Sequence, residues 1–286
     1  MLLLLMSEVV TLRSARIEVV IAPEVGGRIV SFKGLRSGYE FLWRNPGVPL
    51  RLEEPGTAYD PNFYGGIDEL LPNDIPEILA GEDCPDHGEL WTTSFSVGSV
   101  TGDSVSMVGC LPNYNFSVEK DISVFESECT VSTRITNLGS ETKHFLWKLH
   151  AALTIQPGDL IECAAECFEP ADIEWSRRAC PGEWWGEMVP DFDGTTEFLY
   201  LCPLLEGRIG WRRGSLGFEV LFDPEVFPYA WYFASYGGFD GHHFAILEPC
   251  TTMPISVNEA LERGQTPVLE PQSSIETEYT YRIHED

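Results

Sequence analysis

A glutamate closes an apolar run near the C-terminal end of the chain. It lies in Leu247-Glu248-Pro249-Cys250-Thr251-Thr252-Met253-Pro254, after the aromatic stretch Phe227-Pro228-Tyr229-Ala230-Trp231-Tyr232. A carboxylate at the end of such a run is costly to bury unless it is hydrogen-bonded, and partial desolvation makes a carboxylate a better base. A strand-end glutamate that simply reaches solvent is an equally good reading of Glu248 alone. A base needs an acid to match it. His150, in Phe145-Leu146-Trp147-Lys148-Leu149-His150-Ala151-Ala152-Leu153, sits in a strand-like apolar run. Alternation puts Lys148 and His150 on one face and Trp147 and Leu149 on the other. Two polar groups on one face of an apolar strand suggest a lined cavity, although a single core histidine bonded to a carbonyl would fit as well. His87, in Pro85-Asp86-His87-Gly88-Glu89-Leu90-Trp91, has a glycine after it and Trp91 close enough to floor a flat polar ligand. Trp231 is the best-placed stacking platform, because it precedes Glu248 on a converging segment.

The elements that must position these residues read as β-strands. Ile17, Val19 and Ile21 alternate with Glu18 and Val20; Val131, Thr133 and Ile135 alternate with Ser132 and Arg134. Near the end, Ile275, Thr277, Tyr279, Tyr281 and Ile283 face one way, with Glu276, Glu278, Thr280 and Arg282 opposite. Period-two patterns of this kind mark half-buried strands. Turn chemistry separates them at Val25-Gly26-Gly27, Thr101-Gly102-Asp103, Asn137-Leu138-Gly139, Gln156-Pro157-Gly158-Asp159 and Gly237-Gly238. Helical patterning is confined to short stretches at Asp68–Leu71 and Ala171–Arg178. Many strands, few helices and dense turns predict an all-β fold, a large antiparallel twisted β-sandwich with residues 1–286 as one domain. Met1–Met6 reads as a first strand rather than a signal peptide, lacking a basic n-region and a small-residue cleavage site.

Composition narrows the partners. The 286 residues carry 18 Lys plus Arg against 45 Asp plus Glu, a net charge of −27. A field of that sign repels nucleic-acid backbones and anionic membrane surfaces, and favours a neutral small molecule. The pairs Arg177-Arg178 and Arg212-Arg213 read as solvated surface more readily than as an anion pocket. No apolar window is long enough for a transmembrane helix. The eight cysteines form no CxxC pair and read as free thiols in a reducing cytoplasm. Oligomeric state has no signature in the sequence.

Several motifs occur in one order along nearly the whole chain: Gly26-Gly27-Arg28-Ile29, Phe41-Leu42-Trp43, Gly65-Gly66-Ile67-Asp68-Glu69-Leu70-Leu71-Pro72-Asn73, His87-Gly88, His150 after Asn137-Leu138-Gly139, Glu248-Pro249-Cys250-Thr251, and Leu269-Glu270-Pro271-Gln272-Ser273. That ordered set resembles the galactose mutarotase-like superfamily, the aldose 1-epimerases and their relatives. The resemblance implies a sugar bound in a cleft of a twisted β-sandwich. It implies that Glu248 takes the proton of the anomeric hydroxyl while His150 gives one to the ring oxygen. The ring then opens and recloses as the other anomer, with no cofactor. It also implies that His87 hydrogen-bonds sugar oxygens and that Asn73 stands at the site. Here Asn73 is followed by Asp74-Ile75, where many members of the family carry an arginine, and His150 is followed by Ala151-Ala152-Leu153 in place of a more aromatic run. The aspartate that grips sugar hydroxyls in the family has Asp191 and Asp193 as its candidates.

Two other function classes stay open on sequence. One is a carbohydrate-binding protein without catalysis on the same scaffold. The other is a metal-dependent sugar isomerase, in which His87 and Glu89 as alternate strand residues join His242 or His243 at one metal.

Overall fold

The computed structural model describes residues 8–285. The reading of Met1–Met6 as a strand lies outside the described residues. The rest is an antiparallel β-sandwich in which the face of each strand follows its alternation. Ile17, Val19 and Ile21 are fully buried on the Ile17–Ala22 strand. Val131, Thr133 and Ile135 point inward from Glu128–Asn137, and Thr277, Tyr279, Tyr281 and Ile283 from Ser274–Glu285. These last two strands pair antiparallel over their length, and Phe116–Phe125 extends the layer on the other side of Glu128–Asn137.

The second layer runs Ile67–Leu70, Lys148–Leu153, His243–Cys250, Tyr229–Tyr236 and the first half of Thr195–Arg213, each antiparallel to the next. The long Thr195–Arg213 strand then continues into pairing with Leu216–Leu221, which pairs with Ser274–Glu285 and so joins the two layers. Trp147 shows how the layers are held together. Its ring lies 4.8 Å from Phe227 and 6.2 Å from Tyr279 across the core, and its Nε1–H donates to the buried Glu69 carboxylate at 2.9 Å. The polar end of a buried indole must find such a partner.

Neither short helix predicted from sequence forms. Asp68 to Leu70 belong to the extended Ile67–Leu70 strand, because the Lys148–Leu153 strand supplies its ladder partners. In Ala171–Arg178 the Asp172 side chain accepts the Glu174 N–H at 2.7 Å, and Ser176 bonds across to Phe198 O. Side-chain bonds of this local kind compete with helix formation. One α-helix is described, Val257–Glu262, capped by Ser256 accepting from Glu259 N–H.

Candidate active site

The register of the second layer builds the site. Lys148 pairs with Cys250 and Ala151 with Leu247, which sets His150 across from Glu248. On one side His150 pairs with Asp68; on the other Glu248 pairs with Trp231, and Trp231 with Tyr200. Directly opposed residues of antiparallel strands share a face. Asp68, His150, Glu248, Trp231 and Tyr200 therefore form one row across five strands. Two residues along, Ala152, Ile246, Phe233 and Phe198 form a second, apolar row. A cavity of about 280 Å³ opens on this face, with Lys148, His150, Glu248, His87, Asp74 and Tyr59 around its polar end.

Two charge chains lie against that end. In the first, Arg28 donates to Asp68 Oδ2 at 2.6 Å, Tyr59 OH donates to the same oxygen at 2.8 Å, and Asp68 Oδ1 lies 2.9 Å from His150 Nδ1. Burial would raise the Asp68 carboxyl, but Arg28 and then His150 outweigh it and hold it well below the usual carboxylate range. Burial and the neighbouring Asp68 charge keep the Tyr59 phenol well above its ordinary value, so it stays a donor. An ionised Asp68 takes the Nδ1–H of His150 and leaves Nε2 as the ring nitrogen with no protein partner among the described residues.

In the second chain, Lys148 Nζ lies 2.7 Å from Glu248 Oε2 and 3.1 Å from Asp74 Oδ1. Asp74 Oδ1 is 3.6 Å from His87 Nε2, and Asp86 Oδ1 is 2.8 Å from His87 Nδ1. Burial opposes the Lys148 ammonium, and Asp74 and Glu248 together raise it above its ordinary value. Burial likewise opposes protonation of His87, while Asp74 and Asp86 overcome it and raise the imidazole. The His87 ring is stacked on Tyr59, centroids 4.1 Å apart and 6° between planes. Glu248 is 2% exposed and does not reach solvent as a strand-end glutamate would. Lys148 neutralises it and offsets the desolvation that burial costs. Glu248 Oε1 makes no hydrogen bond among the described residues, so it is the oxygen left for a ligand.

The alternation that put Lys148 and His150 together on the cavity face holds, and His87 joins them. Other residues singled out in the sequence lie elsewhere. Trp231 is fully buried, with its Nε1–H on Thr252 O at 3.0 Å and the Lys148 ammonium 4.3 Å over its ring. A lysine, rather than a sugar, sits over that ring. Trp91 is in the 3-10 turn Leu90–Thr92, edge-on to Tyr59 at 5.0 Å, and supports the site from behind. Asn73 is completely buried and donates to Ile75 O and Pro85 O, bracing the loop that carries Asp74. Asp191 and Asp193 are exposed and away from the cavity, and Asp193 accepts from Thr195 at the start of a strand. His87 has φ 58°, which breaks the strand alternation needed to set it beside Glu89. Glu89 instead accepts from Asn113 N–H. Among the described residues no group of three or more His, Cys, Asp or Glu is arranged to hold a metal.

Sequence reasoning missed Tyr59 and the aromatic wall of Phe63, Trp175, Phe233, Phe239 and Phe244, and gave Asp74 no part in the site. Tyr59 and Phe63 flank a single 3-10 turn and carry no periodic signal. Asp74 was in view as the residue standing where the family has an arginine.

No protein-family model and no curated protein sequence matches the chain. Solved structures match over almost its full length. The Slr1438 protein from Synechocystis sp. PCC 6803 superposes with a TM-score of 0.76 at 17% identity, over 98% of this chain and 97% of that one. A galactose mutarotase related enzyme from Lactobacillus acidophilus gives 0.76 at 13%, over 97% and 98%. A galactose mutarotase-like protein from Clostridium acetobutylicum gives 0.74 at 16%, over 97% and 95%. The chain therefore has the galactose mutarotase-like β-sandwich fold, as the ordered motifs implied.

Proposed function

We propose that the protein is a cofactor-independent carbohydrate mutarotase, interconverting sugar anomers by acid–base ring opening. The observation that carries this reading is the pairing of His150 and Glu248 across adjacent strands at the wall of one cavity. Glu248 Oε1 accepts the proton of the anomeric hydroxyl, and His150, protonated on both nitrogens, donates from Nε2 to the ring oxygen. Asp68 holds His150 in position through Nδ1 and stabilises its charge, in a site where Arg28 and Tyr59 hold Asp68 in turn. After rotation about the first C–C bond, the ring closes on the other face with the proton transfers reversed. Each positioned acid or base contributes about 10²–10⁴-fold. His87, flanked by Asp74 and Asp86, is a donor towards sugar oxygens at the cavity wall. The eight free thiols accord with work in a reducing compartment.

The test is NMR exchange spectroscopy of anomers across a sugar panel, with wild-type protein and Glu248→Gln. Wild type accelerates exchange for at least one sugar, and the substitution lowers kcat by about 10²-fold or more while the fold persists. Absence of any acceleration, or an unaffected rate in the variant, refutes the assignment. One observation favours a second reading, a sugar-binding protein without catalysis: Lys148 already engages the Glu248 carboxylate. Calorimetric binding of a sugar whose anomers do not exchange faster would select it.

A further inference from the structure

We propose that the buried ion pair Lys120–Glu69, on the far side of the Ile67–Leu70 strand from the cavity, sets the register of that strand and so decides which of two adjacent carboxylates faces His150. Lys120 and Glu69 are positioning residues for the site described above. The proposal rests on the sugar-site reading only for its effect on anomer exchange.

The strand itself leaves the choice open. Its four residues, Ile67, Asp68, Glu69 and Leu70, are all buried. Asp68 and Leu70 lie opposite His150 and Lys148 on the cavity side, and Ile67 and Glu69 lie opposite Ala151 and Leu149 on the core side. Each face thus carries one aliphatic side chain and one carboxylate. A shift of pairing by one residue turns every side chain to the other face. Here it would exchange Leu70 for Ile67 and Asp68 for Glu69, so burial of apolar surface barely distinguishes the two registers. Backbone pairing adds little. Contact with the Arg28–Gly34 strand is the single pair Ile29–Ile67, and Gly65 and Gly66 precede the strand at φ +84° and +76°, where glycine moves freely.

Partners on the two sides discriminate unequally. On the cavity side Arg28, Tyr59 and His150 converge on Asp68. These donors would receive a glutamate as well, since its side chain is longer and more flexible. On the core side Glu69 Oε1 accepts from Lys120 Nζ at 2.7 Å and from Tyr279 OH, and Oε2 accepts from Trp147 Nε1 at 2.9 Å. Lys120 comes from Phe116–Phe125 and Tyr279 from Ser274–Glu285, both in the opposite layer, and the Lys120 and Glu69 side chains are almost inaccessible. An aspartate turned inward is one methylene shorter and loses reach to donors held by that layer. Lys120 would then stay charged and unpaired in the core, which is strongly unfavourable. Fixing register is the best-attested use of a buried polar group. With Glu69 held in the core, Asp68 is the carboxylate that faces His150.

The experiment reads the His150 ring directly, by long-range proton–nitrogen correlation NMR that reports the protonation of each ring nitrogen. His150→Gln assigns its signals among the six histidines. Wild type is expected to show one ring state. In Lys120→Met the unpaired Glu69 carboxylate leaves the core, so His150 shows a second or a shifted ring state, and the kcat of anomer exchange falls at least tenfold. Glu69→Gln/Lys120→Met, which holds no unpaired charge, gives the same result where Lys120→Met does not fold. Glu69→Leu/Lys120→Met makes the core face wholly apolar and specifies the register without an ion pair. It returns the single wild-type ring state, with kcat within threefold of wild type. A pair that only stabilised the fold would lower Tm in Lys120→Met and leave the His150 signals in place. That outcome overturns the proposal, as does a folded Glu69→Leu/Lys120→Met that has lost the wild-type ring state. If the ring states follow the expected order and wild type exchanges no sugar, the register assignment stands and the mutarotase reading falls.

Discussion

Replacing Asp68 with asparagine removes the charge on which one half of the site is hung. Arg28 and Asp68 are both buried, with side chains 2% and 0% exposed, and their nitrogen and oxygen lie 2.6 Å apart. In Asp68→Asn the Arg28 guanidinium stays buried without its counter-charge, and breaking a buried pair from one side costs about 3–5 kcal/mol. For a chain of this size that lowers Tm by roughly 6–20 °C. The pH dependence carries the sign. The Asp68 carboxyl is held below its unfolded value, so its contribution is present above about pH 4 and is lost as pH falls below it. Urea denaturation of wild type and variant at pH 7 and at pH 3.5 should show a gap that narrows in acid. Arg28→Met added to Asp68→Asn should cost less than the sum of the two single changes, because the buried charge is then gone. Anomer exchange should fall by 10-fold or more, since a neutral amide, which can also present its NH2 to the ring, no longer fixes Nδ1 as the nitrogen that donates. A variant within about 0.5 kcal/mol of wild type at pH 7, with unchanged exchange, would refute the claim that this chain of contacts orients His150.

Lys148→Met leaves Asp74 and Glu248 buried without their shared cation, and urea denaturation at pH 7 should register a loss of about 3–5 kcal/mol. His87 is raised above its unfolded value by Asp74 and Asp86, so its contribution is complete below about pH 6.5 and is lost as pH rises through the folded value. Thermal melts of wild type and His87→Gln from pH 6 to pH 9 should therefore converge at the alkaline end; a gap that widens with pH contradicts the geometry. Gly88→Ala places a Cβ 2.2 Å from Leu71 O at φ +73°, and should destabilise by about 2 kcal/mol or more in a denaturant titration.

Much of this site was legible because strand alternation is local. From the run Trp147–Leu153 alone, Lys148 and His150 fall on one face and Trp147 and Leu149 on the other, and the cavity and core divide in that way. Where a carboxylate changed its meaning, the cause was a partner from another strand. Glu248 read equally well as a strand end reaching solvent or as a desolvated carboxylate, and it is a buried, ion-paired one, because Lys148 comes from the neighbouring strand. Trp231 looked like a stacking platform on composition and position, yet the same Lys148 lies over its ring. Asp68 fitted a short helix, and the ladder with Lys148–Leu153 made it a strand residue facing His150.

Sequence by itself determined the fold class and the faces of the strands, with Lys148 and His150 on one of them. Alternation at period two is a property of the backbone and survives any tertiary arrangement. The structure decided that His150 and Glu248 stand opposite each other, that Lys148 joins Glu248 to Asp74, and that Tyr59 closes the site from an irregular loop. Those facts depend on the register between strands remote in sequence, which long-range packing of the two layers selects and which no local pattern encodes.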